Sequence, residues 1–289
     1  MNRKATAIAH GAATIVNAIA LGKGAAFGVD LWTKAEVRLT NEPDIIMVEI
    51  ASEPNESKLL IERTVARVLQ RFSLEKSFGA KVKTSSNIPI AKGLKSSSVA
   101  ANATALATTT ALAKNLDDWD IVKIGVEAAF DAKVTVTGAL DDACASYFGG
   151  TVITDNLNLE IIKQMPLNED LTVLFHVPLQ KAYTVDSNVN RLKTIRPLVK
   201  IAFEKALEGK IWEALTLNGL IYSSAQNLNA TIAVDALAAG ALAAGLCGKG
   251  PAVTAVVPND KVDLVKAALQ NYKGEILTTH LNNKKATVL

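Results

Sequence analysis

The first fifty residues form a series of short segments that are apolar or, from residue 36, alternate between polar and apolar positions. The segments whose pattern fits a β-strand are residues 3–9, 13–20, 25–31, 36–40 and 45–50. His10 and Gly11 separate the first two segments, and turn residues at 42–44 separate the last two. The opening of the chain is therefore predicted to be rich in strands.

Beyond residue 59 the apolar spacing changes to that of a helix. Leu60, Ile61, Val65, Val68 and Leu69 fall on one face, with charged residues between them, so residues 60–72 are predicted to be helical. The same reasoning predicts helices at residues 98–113, 121–132, 194–208, 211–223, 234–245 and 260–269. Further strands are predicted at residues 80–84, 151–154, 171–177, 252–257 and 276–279.

Gly149 and Gly150 close a short predicted helix just before an apolar segment, and they are the predicted domain boundary. The chain then divides into residues 1–150 and residues 151–289. Both halves mix helices and strands, so the predicted fold class is α+β with two domains.

Composition narrows the class of protein. The chain has 289 residues, of which 49% are hydrophobic and 20% charged, with a formal net charge of +3, and this balance is typical of a soluble globular protein. No basic tract interleaved with aromatic residues occurs, so no nucleic-acid partner is expected. The uncharged segments at 96–113 and 236–248 carry polar residues or are too short for a bilayer, so no membrane partner is expected and the predicted location is cytoplasmic.

Residues 89–98 join a predicted strand to a predicted helix and concentrate the chemistry of the first half. In order they are Pro89, Ile90, Ala91, Lys92, Gly93, Leu94, Lys95, Ser96, Ser97 and Ser98. Unpaired backbone N–H groups at a helix N-terminus attract anions, and lysine and serine side chains add charge and hydroxyl ligands for phosphate. This serine loop is predicted to bind nucleotide phosphates; the alternative is an ordinary loop with a serine N-cap.

Two further segments carry candidate chemistry. Gly138 precedes Asp141 and Asp142 at the start of a short helix, where a carboxylate acts as a base or simply stabilises the first helical turn. Gly248 and Gly250 form a turn in which the backbone can approach a ligand closely, or which only ends a helix.

Together the three segments resemble the motifs of the GHMP kinase superfamily. Residues 89–98 match P-x-x-x-G-L-x-S-S-[AS] at every fixed position, Gly138 and Asp141 match the second motif, and residues 248–251 match the glycine-rich third motif. The resemblance implies an N-terminal domain like that of ribosomal protein S5 and a ferredoxin-like C-terminal domain. It also implies MgATP-dependent phosphorylation of a hydroxyl group.

Within the superfamily, the segments at 11–19, 93–98 and 134–143 look most like the archaeal branch that phosphorylates shikimate. Lys95 stands where other members typically have glycine. Lys249 is a departure, because the family pattern has a hydroxyl residue there. The alternatives are another kinase of the superfamily, acting on homoserine or mevalonate, and a ligand-binding protein that keeps the fold without the chemistry.

The resemblance also implies roles for individual residues. Asp141 would accept the proton of the attacking hydroxyl, with Asp142 as the second candidate, and Lys95 would stabilise charge on the transferred phosphoryl group. The serine loop, Gly248 and Gly250 would hold ATP. Ser97, together with Glu127 or Asp131, would bind Mg²⁺.

The shikimate carboxylate calls for a cationic partner, for which Arg191 and Arg196 are candidates, with Lys181 nearby. The alternative for each is a solvated charge. His10, Asn17, Lys23 and Asp142 are further candidate substrate contacts, although a structural hydrogen bond serves His10 equally well. The oligomeric state has no signature in the sequence.

Overall fold

The computed structural model describes residues 3–90, 92–179 and 189–289, so Ala91 and Lys181 lie outside the described residues. The strands are β1 (Lys4–Val16), β2 (Lys23–Thr40), β3 (Ile46–Ile50), β4 (Gly79–Ser86), β5 (Thr151–Asp155), β6 (Glu160–Met165), β7 (Leu171–Val177), β8 (Ala243–Leu246), β9 (Val253–Pro258), β10 (Glu275–His280) and β11 (Thr287–Val288). The helices are α1 (Leu59–Arg71), α2 (Ser96–Ala111), α3 (Asp118–Asp131), α4 (Leu140–Phe148), α5 (Val189–Thr194), α6 (Arg196–Leu207), α7 (Ile211–Ala225), α8 (Thr231–Ala238) and α9 (Val262–Leu269). The predicted α+β class is confirmed.

The first sheet runs in the order β11-β1-β2-β4-β3, with β5 added to β2 and β6 to β5. Strand β2 is long enough to pair with β5 through its first residues and with β4 through its last. The predicted separate strands at 25–31 and 36–40 are therefore one strand. Those at 3–9 and 13–20 also merge into β1, where a register shift at His10 and Gly11 absorbs the interruption. The second prediction is wrong in its last four residues, because β1 ends at Val16 and residues 17–20 lie outside any strand.

The second sheet is antiparallel, in the order β10-β7-β9-β8. The predicted alanine-rich helix at 234–245 is wrong in its second half, because α8 ends at Ala238 and residues 243–246 form β8. The reason is tertiary: Gly219 of α7 lies directly against Gly245, and a Cβ added to Gly219 would collide with the Gly245 backbone. Small residues there allow a helix to pack closely on a strand.

Helix α2 lies at the centre of the molecule, against β1 and β2 and beside α1 and α3. Its apolar side chains are small, and Ala103, Ala105 and Ala107 are fully buried. Because most of α2 is buried, it lacks the periodic polar stripe of a surface helix, although Ser97 in its first turn is exposed. Its N-terminus is therefore held rigidly, and the serine loop ends there.

The two halves of the chain both contribute to the first sheet and to one buried apolar core. Strands β5 and β6 follow Gly150 yet extend the first sheet, and β11 pairs with β1 near the other end of the chain. One cluster of buried apolar side chains includes residues of both sheets, from Ala7 to Ala286. The division after residue 150 stays a prediction. Within the described ranges, no helix combines the length and the apolar character needed to cross a bilayer.

Candidate active site

The serine loop reaches α2 through left-handed backbone conformations. Gly93 has φ of +87° and Lys95 has φ of 64° with ψ of 20°, and Lys95 is the N-cap residue of α2. Ser96, Ser97 and Ser98 are therefore the first helical residues. Backbone N–H groups of a first helical turn lack intrahelical acceptors, so this end of α2 favours an anion.

The glycine turn at 247–251 packs directly on the serine loop. The Cys247 thiol donates a hydrogen bond to the Gly93 carbonyl (3.2 Å), and the Ala252 N–H donates to the Lys92 carbonyl (3.2 Å). A Cβ built on Gly248 would lie 2.7 Å from Lys95 Nζ. Gly248 also has φ of +62°, so a side chain there would be strained and would displace the Lys95 amino group.

Lys92 fixes the other side of the serine loop. Its Nζ donates to the carbonyl of Pro178 (2.6 Å) and also to that of Leu179. Lys92 thereby ties the loop to the end of β7, in the second sheet. Its charge serves this anchoring, whereas the charge of Lys95 faces the two carboxylates.

Asp141 and Asp142 stand in the first turn of α4. Gly138 and Ala139 both have positive φ, which turns the chain sharply into this helix. Asp142 Oδ2 lies 2.8 Å from Lys95 Nζ, and only 8% and 12% of the two side chains are exposed. Oδ1 of Asp142 is buried and has no hydrogen-bond partner within the described part of the chain. The ion pair is thus buried, and it leaves one enclosed carboxylate oxygen without a hydrogen-bond donor among the described residues.

Asp141 has a different environment from Asp142. Its Oδ1 accepts a hydrogen bond from Asn156 Nδ2 at 2.9 Å. Burial, together with the negative charge of Asp142, raises the pKa of Asp141 to about 7, although Lys95 opposes the shift. Burial lowers the pKa of Lys95, but Asp142, Cys247 and Asp141 outweigh it, so that its pKa is raised. At neutral pH the lysine is charged and Asp141 exchanges protons readily.

These groups lie on one cavity of about 380 Å³. At one end are the polar groups of the first turns of α2 and α4, among them Lys95, Asp141 and Asp142. The walls at the other end are mainly apolar and include Ile50, Leu60, Ile61, Ala129, Val134 and Val136. Such a cavity suits a molecule with an apolar planar part and an anionic tail.

Most residues predicted for catalysis and nucleotide binding line this cavity. They are Ile90, Gly93, Leu94, Lys95, Ser96, Ser97, Ser98, Asp141 and Gly250, and two predicted substrate contacts, Asn17 and Asp142, also line it. Pro89 and Lys92 belong to the same loop, and Gly248 contacts Lys95. Lys249 also lines the cavity, in the position where the family pattern has a hydroxyl residue.

The structure does not bring the predicted metal-binding carboxylates to the cavity. Arg67 of α1 donates to Asp131 through Nε (2.7 Å) and Nη2 (2.9 Å), and to Glu127 through Nη1 (3.0 Å). Neither carboxylate is among the residues that line the cavity. Both join α3 to α1, a role that their helical positions alone do not reveal.

Four predicted substrate contacts also lie apart from the cavity-lining residues. Lys23 Nζ pairs with Asp155 Oδ2 (3.1 Å), and His10 Nδ1 lies 3.6 Å from Asp30 Oδ1, with burial lowering the pKa of His10. Arg191 donates to Asn227 Oδ1 (2.8 Å). Arg196 is exposed at the start of α6. For these residues the structure favours the structural or solvated alternative.

Several residues of the site were not predicted from the sequence. Asn156 contacts Asp141 from the turn after β5, and Gly24 abuts the same carboxylate, since a Cβ there would lie 2.6 Å from Asp141 Oδ2. Thr137 also lines the cavity. A lone asparagine and a strand glycine belong to no motif, so only the pairing of β2 with β5 brings them to Asp141.

Comparison with known proteins places these features in context. Residues 60–150 match the family described as GHMP kinases N terminal domain. A shikimate kinase from Methanosarcina mazei is 44% identical over 288 residues, which are 99% of this chain and 97% of that protein. A shikimate kinase from Methanococcoides burtonii is 42% identical over 285 residues, covering 98% of each chain.

Solved structures share the fold at low sequence identity. A homoserine kinase from Cytophaga hutchinsonii has a TM-score of 0.77 at 17% identity, covering 100% of this chain and 98% of that one. A mevalonate kinase from Methanococcus jannaschii has a TM-score of 0.79 at 18% identity, covering 96% and 98%.

Proposed function

The chain belongs to the GHMP kinases and, within them, to the family of archaeal shikimate kinases, and from this membership we propose that it transfers the terminal phosphoryl group of ATP to the 3-hydroxyl of shikimate. One observation of the site supports the proposal above others. Lys95, its partner Asp142 and the proton acceptor Asp141 meet at the N-terminus of α2, on a cavity with an apolar far end.

The N-terminus of α2 is proposed to hold the phosphates of ATP. Its serine residues offer backbone N–H groups and hydroxyls, and Gly93 and Gly250 keep the surrounding backbone free of side chains. The apolar end of the cavity would take the adenine ring, because aromatic bases are favourably buried against aliphatic side chains. ATP would then lie along the cavity with its terminal phosphate near Lys95.

Magnesium is proposed to accompany ATP. Mg²⁺ prefers oxygen ligands and usually keeps several waters while phosphate oxygens supply part of its coordination, so the Ser97 hydroxyl fits as a ligand from this chain. Glu127 and Asp131 do not fit, because Arg67 engages both carboxylates. When bound, the ion would neutralise charge on the phosphate oxygens.

Asp141 is proposed as the group that takes the proton of the acceptor hydroxyl. Its raised pKa places its titration at neutral pH, where a general base is most effective. Lys95 keeps a full positive charge beside it and is proposed to stabilise negative charge on the transferred group. Asp142 holds the Lys95 amino group in place through Oδ2.

Asn17 is the proposed contact to the acceptor from the opening of the chain, since it lines the cavity. Its position is fixed by α7, because the Asn17 N–H donates to Asn218 Oδ1 (3.1 Å) and Tyr222 Oη donates to the Asn17 carbonyl (3.1 Å). The Ile19 N–H donates a hydrogen bond to Asn17 Oδ1 (3.0 Å), which orients the Asn17 side chain. Its amide Nδ2 carries the donors that an acceptor hydroxyl or carboxylate would use.

A direct assay tests the proposal. The purified chain is incubated with MgATP and, in separate reactions, shikimate, homoserine or mevalonate, while ADP release is followed and the product is identified by ³¹P NMR. We expect ADP release that depends on shikimate and a phosphate monoester at its 3-position. Turnover of another alcohol with none of shikimate would overturn the substrate, and ATP binding with no turnover of any alcohol would favour a ligand-binding protein.

A further inference from the structure

Two fully or almost fully buried polar residues, Thr154 near the end of β5 and Asn156 in the turn that follows, organise this part of the chain. The Asn156 N–H donates to the Gly22 carbonyl (2.9 Å). Between them, Asp155 accepts the backbone N–H groups of Leu157 and Asn158, each at 3.1 Å. The turn is thus held by several independent hydrogen bonds, which fixes the place from which the Asn156 side chain extends.

Thr154 also fixes the orientation of the Asn156 amide. Thr154 Oγ1 donates to Asn156 Oδ1 at 2.6 Å, so that oxygen is occupied and the Nδ2 donors face the other way. Nδ2 then donates to Asp141 Oδ1 at 2.9 Å. A flipped Asn156 amide would place its oxygen against the Asp141 carboxylate, so that two acceptors would face each other. The two hydrogen bonds, from Thr154 to Asn156 and from Asn156 to Asp141, therefore favour a single orientation of the amide.

The same arrangement distinguishes the two oxygens of Asp141. Oδ1 receives Asn156, while Oδ2 faces Gly24, where a Cβ would approach it to 2.6 Å. That Cβ would also lie 3.0 Å from the Ala18 side chain. Glycine at position 24 therefore lets the carboxylate lie directly against β2, with Oδ2 as the oxygen that Asn156 does not engage.

We propose that Asn156 is a positioning residue for phosphoryl transfer, which holds Asp141 by Oδ1 so that Oδ2 receives the proton of the acceptor hydroxyl. The inference rests on the proposed function. In the step, the O–H bond of the acceptor breaks and its proton moves to Oδ2. The acceptor oxygen bonds to the terminal phosphorus of ATP, whose bond to the bridging oxygen breaks, and ADP leaves.

The charge environment of Asp141 indicates what Asn156 contributes electrostatically. The titratable groups that face Asp141 are Asp142 and Cys144 on its own helix, Lys95 from the N-terminus of α2, and Tyr222 from α7. Burial and Asp142 raise the pKa of Asp141, whereas Lys95 and the Asn156 hydrogen bond lower it. Loss of the Asn156 donor should therefore move the titration of Asp141 to higher pH.

The test measures kcat/KM against pH for Asn156→Leu, which removes the donor at similar volume. We expect the rise of kcat/KM with pH to occur about 1 pH unit or more higher than in the wild type. A hydrogen bond to a charged group has a free energy of this order. At pH 7 kcat/KM should fall by about fivefold, because the deprotonated fraction of Asp141 drops from about one half to about one eleventh when a pKa of about 7 rises by 1 unit. KM for ATP should change by less than about twofold, since Asn156 does not line the phosphate end of the cavity.

One pair of variants and one control keep the inference testable if Asn156→Leu folds poorly. Thr154→Val removes the hydroxyl that orients the amide, and Thr154→Ser keeps it, so only the first should shift the pH profile. Asn158→Leu is the control within the same turn, because its Nδ2 donates to Asp155 Oδ2 (3.1 Å). It should leave the profile unchanged.

A second measurement separates this inference from the proposed function. The carboxyl ¹³C resonance of Asp141, assigned with Asp141→Asn in aspartate-labelled protein, reports its titration without any substrate. A higher pKa of Asp141 in Thr154→Val than in Thr154→Ser supports the positioning role even if shikimate is not the acceptor. Equal titrations in the two variants, or a wild-type pH profile in Asn156→Leu, would overturn it.

Discussion

The buried pair between Lys95 and Asp142 predicts a strong dependence of stability on having both charges. In Lys95→Met, the carboxylates of Asp142 and Asp141 stay buried together without the cation that lies 2.8 Å from Asp142. In Asp142→Leu, the buried lysine instead loses its nearest anion. Removing both charges leaves an apolar pair of similar volume.

The magnitudes follow from the burial of the two side chains, which are 12% and 8% exposed. Breaking a buried ion pair by removing one partner typically costs about 3 to 5 kcal/mol, whereas replacing both partners by apolar residues is often neutral. We therefore expect each single variant to lose about 3 kcal/mol or more of unfolding free energy. The double variant Lys95→Met with Asp142→Leu should recover most of that loss.

Urea unfolding at pH 8, followed by circular dichroism, measures these free energies and completes a double-mutant cycle. Lys83→Met is the control, because the pair of Lys83 with Glu49 has a similar distance of 2.8 Å but is solvent-exposed. That variant should keep the wild-type midpoint.

Activity separates the catalytic role of Lys95 from its structural role. The double variant should be stable yet lose about 10²-fold or more in kcat, the usual effect of removing one group that stabilises transition-state charge. Two results would refute the reasoning. One is additive single losses with no coupling between the sites; the other is recovery of kcat together with stability in the double variant.

The remaining predictions concern the base, the metal and the glycine turn. The kcat/KM of the wild type should rise with pH through about 7, because only deprotonated Asp141 accepts a proton. The substitution Asp141→Asn should lower kcat by several orders of magnitude and leave ATP binding, measured by calorimetry, nearly intact. Surviving activity would exclude Asp141 as the base. Ser97→Ala should raise the Mg²⁺ concentration needed for half-maximal rate, and an unchanged metal titration would exclude the proposed ligand. Gly248→Ala should raise KM for ATP and lower kcat together, because its φ is +62° and the new Cβ would reach 2.7 Å from Lys95 Nζ; wild-type kinetics would show that the turn tolerates a side chain there.

The sequence alone predicted those parts of the site whose residues stand close together in the chain. A phosphate-binding turn uses successive backbone N–H groups, so the serine loop and its lysine stand together in the chain and share a recognisable pattern. Asp141 follows Gly138 by three residues for the same reason, since one turn sets the direction of one short helix. The α+β class also follows from local periodicity, which reports the face that each segment buries.

Tertiary structure decided which charges meet. The candidates Glu127 and Asp131 are taken by Arg67, some sixty residues earlier in the chain. The periodicity of α3 is the same whether its acidic face meets a metal or an arginine.

The alanine-rich segment after residue 233 shows the same limit for secondary structure. Alanine suits a buried helix and, where space is narrow, a buried strand, and the contact of Gly219 with Gly245 selects the strand for residues 243–246.

The sequence by itself determined the family, and it predicted the phosphate-binding turn and the proton acceptor. Only the tertiary structure paired Lys95 with Asp142, brought Asn156 to Asp141 and made room for that carboxylate at Gly24. The physical reason is separation along the chain. Contacts across 15, 47 or 117 residues (Asn156, Lys95 and Gly24 to their carboxylates) leave no periodic or contiguous signal and arise only when β2, β5 and α2 pack around α4.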